Sequence, residues 1–284
     1  MYTVLIILSR NECPYPPSPR VIEYVEKYLN SINRYEAEGL VEELIDRVSK
    51  YVGIDESYIH LIPGSEAFFT TLPWYLVTRR YRFVYSSPTF VPAIEDLRVW
   101  GVELVDVPLN DDLMHDLEGI VREGGDSVLY IIRPNNPTGN ITIECSDIAE
   151  LADHYRLIVI DEAYYEFSKT SCKDLVRDYE NIVVLRTFSK AFCIAGARLG
   201  YVIGSRRICE TVFTPRRKYD IPIPSLAAGL GAISDIAYME KVVEEILNTK
   251  EKIVEKLRRI NGVKVSDALT NFILVGKRGF DSQT

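Results

Sequence analysis

The sequence predicts an α/β fold in which a mostly parallel sheet is covered by helices on both faces. Wholly apolar runs rich in β-branched residues, clearest at 128–132, 157–160 and 182–185, read as strands buried on both sides rather than strands with one wet face. Helical patterns separate such runs, so successive strands are joined by crossovers, the connection that a parallel sheet requires. Polar groups also gather immediately after the apolar runs stop, at the edge where open α/β sheets meet their ligands. The chain has 284 residues, 47% hydrophobic and 26% charged, which is ordinary globular composition with enough length for one large core and a smaller second lobe.

Taken in order, YTVLIILS at 2–9 reads as a strand. It lacks the basic leader and small-residue cleavage site of an export signal and is too short to span a membrane. The four prolines of RNECPYPPSP at 10–19 exclude regular helix and favour an extended arm. From Pro19, apolar residues at Val21, Ile22, Val25, Tyr28 and Leu29 recur at helical spacing. Asn33, Arg34 and Tyr35 interrupt, and a second helix runs from Gly39 to about Val52. IPGSEAFF at 62–69 looks like a helix start whose free N–H groups suit a phosphate, although alone it is more simply an ordinary helix cap. Strand YRFVYSS, a helix over 92–100, strand VELVDVP, a helix after Asn110 and strand SVLYIIR at 127–133 follow.

RPNNPTG at 133–139 makes a turn through Pro137 and Gly139, yet a turn does not require two successive asparagines. Strand LIVID ends in Asp161, with Tyr164 just beyond. An acid and a phenol at the end of a buried strand are costly without partners. Asp161 could pair with a cationic ring nitrogen and Tyr164 with a ring hydroxyl; alternatively Asp161 caps a helix and Tyr164 is core. In IVVLRTFSKAFCIAGARLGY at 182–201 a buried strand delivers Thr187, Ser189 and Lys190 to one place, followed by small residues and Arg198. A lysine there suits Schiff-base chemistry, whereas in isolation it reads as a surface lysine. A long helix from about Met239 to Ile260 precedes the C-terminal stretch.

Thirty-three Lys and Arg against 41 Asp and Glu leave a net charge of −8, which argues against a nucleic-acid surface and leaves room for a cationic pocket holding a small anion. The five cysteines show no CxxC spacing and the three histidines are scattered, so neither a disulfide framework nor a metal site is expected, and the compartment indicated is the cytoplasm.

GSE at 64–66, NNPTG at 135–139, DEAYYEF at 161–167, TFSKAF at 187–192 and AGARLGY at 195–201 together resemble, in this order, the pyridoxal-phosphate aminotransferases of fold type I. NECPYPPSP at 11–19 and NRYE at 33–36 most resemble the histidinol-phosphate aminotransferase branch, with the threonine-phosphate decarboxylases close by. The resemblance covers about residues 9–275, and five ordered motifs are far more specific than any one of them.

The resemblance implies that Lys190 is the catalytic lysine of a pyridoxal 5′-phosphate enzyme. Asp161 would hold the pyridine nitrogen protonated, and Asn136 and Tyr164 would bond the phenolic oxygen. Ser65 and Glu66 would offer backbone N–H groups to the phosphate, with the Glu66 carboxylate turned away, and Thr187, Ser189 and Arg198 would complete the cradle. Phe90 is the nearest candidate to stack on the ring. Tyr35 would reach the partner's phosphate, implying a homodimer with shared sites, and Tyr15 on the proline-rich arm is a candidate for substrate binding.

The implied architecture is a three-layer large domain over 33–235 and a reduced α+β small domain from 1–32 and 236–284. The implied reaction passes an amino group between a small, phosphorylated amine and a 2-oxo acid, with ping-pong kinetics. Decarboxylation of a phosphorylated amino acid and a cofactor-binding remnant without turnover are the alternatives. No residue matches the family's C-terminal substrate arginine, and the motifs do not place Arg278, so weak turnover of histidinol phosphate is expected beside near-normal cofactor binding.

Overall fold

Apolar runs that present side chains to both faces need cover on both, and the central sheet receives it. The computed structural model describes residues 8–213 and 219–277. The strand expected at the N-terminus falls largely outside these residues, and Arg278 falls outside them entirely. Seven strands form the central sheet: β1 (Ile59–Ile62), β2 (Arg82–Tyr85), β3 (Leu104–Asp106), β4 (Gly125–Ile132), β5 (Tyr155–Asp161), β6 (Ile182–Thr187) and β7 (Gly200–Ile203). Their spatial order is β1-β7-β6-β5-β4-β2-β3. β3, β2, β4, β5 and β6 are parallel, while β7 lies antiparallel to both β6 and β1. Two reversals return β1 to the direction of β6. The carboxyl ends of β1, β4, β5 and β6 and the amino end of β7 therefore open on one edge.

The helices are α1 (Pro19–Tyr28), α2 (Leu40–Val52), α3 (Ala67–Arg79), α4 (Val91–Val99), α5 (Leu117–Arg122), α6 (Cys145–Leu151), α7 (Tyr165–Ser168), α8 (Arg206–Phe213), α9 (Ile223–Ile233) and α10 (Ile236–Arg258). Alternation along each strand divides the core in two. Leu129, Ile131, Ile158, Ile160 and Val184 pack with residues of α2, α9 and α10. Val128, Tyr130, Leu157, Val159 and Leu185 pack on the other face with residues of α3 and α4. This is the three-layer arrangement that wholly apolar strands demand. A separate ribbon of β8 (Val263–Val265) and β9 (Val275–Lys277) pairs antiparallel beyond α10.

Element boundaries follow local chemistry. Pro19 occupies the first turn of α1, and the Ser18 side chain accepts from the Arg20 N–H. The Ser18 hydroxyl also donates to Asp235, whose carboxylate caps α10, so two helix starts are tied together. The helix expected after Asn110 begins only at Leu117. The Asn110 side chain accepts from the N–H groups of Asp112 and Met114 and folds that segment into a turn instead.

The expectation of no disulfides is corrected. Cys13 is bonded to Cys193 and Cys145 to Cys172, leaving Cys209 free and buried. The partners are 180 and 27 residues apart, and such pairings are set by tertiary proximity that spacing does not encode. The first bond fastens the proline-rich arm beside the loop that follows β6.

Candidate active site

A cavity of about 630 Å³ opens at the edge where the strand ends converge, and Asn136, Asp161, Thr187, Ser189 and Lys190 line it. The sheet register makes the convergence close: Asp161 lies opposite Ile132 on one side and Leu185 on the other, so the loops leaving β4 and β6 flank it. Ser65, Glu66 and Phe90, also expected from the sequence, contribute to the same wall with Tyr164 and Arg198.

Asp161 is 7% exposed. One carboxylate oxygen accepts from the Tyr130 hydroxyl at 2.9 Å and the other from the Ala163 N–H at 3.0 Å. Burial nevertheless pushes its carboxyl up to about 6, against the pull of these donors and of Lys190. A buried carboxylate held ionised at such cost, and facing a cavity, is chemically matched to a cationic ring nitrogen. Tyr164 is 4% exposed, and its hydroxyl accepts from Asn11 Nδ2 at 3.1 Å. Burial raises its phenol to about 12, so it remains a neutral hydrogen-bonding group.

Lys190 Nζ donates to the Arg10 carbonyl at 2.8 Å and lies 5.9 Å from the centre of the Tyr164 ring. Its pKa is lowered, first by burial, while Glu66, Asp161 and Glu12 pull it back up. The paired asparagines divide their work. Asn135 closes its own turn, donating to the Pro88 carbonyl and the Thr138 hydroxyl, whereas Asn136 faces the cavity.

The cradle for an anion lies at the start of α3. Among the described residues no hydrogen bond uses the N–H groups of Ser65 and Glu66, and the Thr187 and Ser189 hydroxyls bond one another at 2.9 Å beside them. Gly64 has φ +83°, and a Cβ there would sit 3.0 Å from Arg198 Nη2; a Cβ on Gly200 would meet the Ser65 nitrogen at 2.9 Å. These two glycines let the Arg198 guanidinium and the β7 backbone close on the helix start. The Glu66 carboxylate is not turned away, as the resemblance implied. Its Oε2 accepts from Arg198 Nη2 at 2.6 Å on a half-exposed surface.

Two of the expected residues, Tyr35, which the resemblance directs to a partner's site, and Tyr15, lie outside this cavity. Tyr35 is 83% exposed and stacks on Tyr219 with ring centres 5.4 Å apart, in a separate hollow also lined by Ile32 and Ile221. The Tyr15 hydroxyl is directed to Glu245 of α10, a hydrogen bond that raises its pKa, and Tyr15 is not part of the cavity wall. Conversely, Asn11, Arg10, Phe69 and Tyr130 serve the site unexpectedly. Asn11 was visible within the NECPYPP segment, whereas Tyr130 sits in an apolar strand where nothing marks its hydroxyl. Behind the site, Arg186 and Glu162, 2% and 0% exposed, form a buried ion pair at 2.8 Å. The Arg186 guanidinium also stacks 3.5 Å over Tyr165. Among the described residues no cluster is placed to hold a metal ion, and no helix is long and apolar enough to cross a membrane.

Comparison with known proteins follows the same lines. The family model for aminotransferases of class I and II matches residues 3–278. A histidinol-phosphate aminotransferase of Sulfurisphaera tokodaii is 34% identical over 277 residues, spanning 95% of this chain and 77% of that one. A dihydroxyacetone phosphate transaminase of Campylobacter jejuni is 30% identical over 282 residues, 95% of this chain and 76% of that one. The crystal structure of histidinol-phosphate aminotransferase from Sinorhizobium meliloti, in complex with pyridoxal 5′-phosphate, superposes with a TM-score of 0.83. It is 25% identical, and the match covers 94% of this chain and 74% of that one.

Proposed function

The chain belongs to the aminotransferase class I and II family, and we propose that it moves an amino group between a small phosphorylated amine and a 2-oxo acid, with Lys190 as its catalytic residue. It is a transaminase dependent on pyridoxal 5′-phosphate. The observation that carries the assignment is the meeting of Lys190, Asp161 and Arg198 in one cavity. Preference for a phosphorylated partner rests on the relatives: the substrates named for the Sulfurisphaera and Campylobacter proteins both bear a phosphate.

When bound, pyridoxal 5′-phosphate supplies an aldehyde for an amine and a ring that draws electrons from the substrate's α-carbon. Asp161 keeps the ring nitrogen protonated, because its carboxylate, disfavoured by burial, regains stability beside a cation. Asn136 and Tyr164 donate to the phenolic oxygen, with Asn11 orienting the Tyr164 hydroxyl. The Ser65 and Glu66 N–H groups, the Thr187 and Ser189 hydroxyls and Arg198 hold the phosphate, and Phe90 bounds the ring. Lys190 Nζ, its basicity reduced by burial, takes the proton from the substrate's α-carbon as general base and delivers it as general acid.

On the same reading the protein works in the cytoplasm as a homodimer in which Tyr35 serves the neighbouring site. The division at 33–235 against the two termini is supported by the separate β8–β9 ribbon beside α10. The test is chemical. Protein loaded with cofactor and treated with borohydride should carry a stable adduct, mapped by mass spectrometry to Lys190, and Lys190→Ala should lose both adduct and transamination. An adduct on another lysine overturns the assignment.

A further inference from the structure

Resting on this reading of the cavity, we propose that Arg10, on the proline-rich arm, is the residue that recognises the anionic group of the substrate. Among the described residues three cations line the cavity: Arg10, Lys190 and Arg198. Lys190 is committed to the chemistry. Arg198 is committed to the start of α3, where it meets Glu66 at 2.6 Å beside the phosphate cradle. The Arg10 guanidinium has no ion pair or hydrogen bond with any described residue, although its backbone is engaged at the reacting lysine.

Position and rigidity both favour this role. Lys190 Nζ contacts the carbonyl of Arg10 itself, so a substrate carbon within reach of that amine lies within one arginine side chain of the guanidinium. The arm is held on each side of the contact. Asn11 donates to the Tyr164 hydroxyl at 3.1 Å, Asn271 donates to the Asn11 carbonyl at 3.0 Å, and Cys13 is bonded to Cys193, three residues beyond Lys190. The backbone that carries the cation is thus fixed relative to the reacting amine before substrate arrives, and less ordering is needed on binding.

Charge supplies the reason for a cation here. Glu12 and Glu66 also line the cavity, and without Arg10 the arm would present a carboxylate alone to an incoming anion. A guanidinium reverses that sign and matches either a carboxylate or a phosphate with two parallel N–H donors, which an ammonium cannot do. Both substrates of the proposed reaction carry such a group, the 2-oxo acid a carboxylate and the amine a phosphate.

The experiment uses cofactor-loaded protein and the variants Arg10→Met and Arg10→Lys. Succinate and inorganic phosphate are titrated separately as non-reacting probes, followed by the absorbance of the bound cofactor. KM and kcat are measured with 2-oxoglutarate and with histidinol phosphate. Arg10→Met should weaken one probe, and raise KM for the matching substrate, by roughly 10- to 100-fold, with kcat little changed; Arg10→Lys should recover part of the loss. A shift confined to succinate assigns the carboxylate, and one confined to phosphate assigns the phosphoryl group. Unchanged affinity for both probes overturns the proposal, as does a loss of the borohydride-reducible adduct in Arg10→Met, which would assign Arg10 to the cofactor. Failure of the parent protein to form that adduct would overturn the underlying site reading instead.

Discussion

Asp161, the proposed partner of the ring nitrogen, is a case in which function is set against stability. Its carboxyl stands at about 6 in the folded protein, raised first by burial, against an ordinary 3.8. Between those values the folded state retains a proton that the unfolded chain has released. The contribution of the neutral acid is therefore fully present below about pH 4 and is lost as pH rises through 6. At neutral pH the buried charge costs on the order of 3 kcal/mol. Asp161→Asn is expected to stabilise the cofactor-free protein by about 1–3 kcal/mol at pH 7.5, with the gain shrinking toward zero near pH 4, as read from urea unfolding at the two pH values. The same change should lower transamination by about 10²-fold or more, because an amide cannot hold a ring proton through charge. A variant less stable than its parent at pH 7.5 would contradict the electrostatic account. Asp161 stood out in the sequence because it ends an apolar run with a charge, and Lys190 because it lies in the TFSKAF motif. Tyr130 and the Glu66–Arg198 pair did not: a tyrosine in a strand reads as core, and which way a carboxylate swings is decided by neighbours 132 residues away.

At the level of elements, the site depends on keeping the ends of β5 and β6 level, and a buried pair fastens them. Glu162, directly after β5, takes both Nε and Nη2 of Arg186 in β6 at 3.1 and 2.8 Å. It also accepts from the Cys172 N–H and the Ser171 hydroxyl, pinning the segment that follows α7. Arg186→Met would leave a carboxylate buried without its cation, a loss of about 3–5 kcal/mol, measurable by urea unfolding. The double change Arg186→Met with Glu162→Gln should recover part of that loss; equal destabilisation by the single and double variants would show that packing rather than charge dominates. β4, β5 and β6 were legible because unbroken apolar runs of four or five residues at 128–132, 157–160 and 182–185 stop abruptly at charged residues. β1 and β7 have four residues each, too few to show a period, and their antiparallel pairing is settled only by what they meet. α9 escaped notice for the opposite reason. Its residues are buried all round, so no polar face reveals helical spacing.

For the molecule as a whole, the cavity is built from distant parts of one chain, and the placement of Tyr35 asks whether one chain suffices. A tyrosine 83% exposed, stacked on Tyr219 and set beside Ile32 at 61% exposure, leaves a large aromatic surface uncovered outside the cavity. In the proposed homodimer this surface is covered and Tyr35 completes the phosphate cradle of its neighbour. Exchange of parts between chains makes a sharp demand. Tyr35→Ala and Lys190→Ala should each abolish or strongly reduce activity alone, yet a hybrid of the two contains one site with the lysine of the first chain and the tyrosine of the second. Random exchange in an equal mixture makes half the dimers hybrid, each with one of two sites intact, so about a quarter of the parent activity should return. Dilution below the dimer dissociation constant should abolish it again. If hybrids confirmed by native mass spectrometry recover nothing, or if the parent protein sediments as an active monomer, each cavity is self-sufficient and the exposed tyrosine serves another contact.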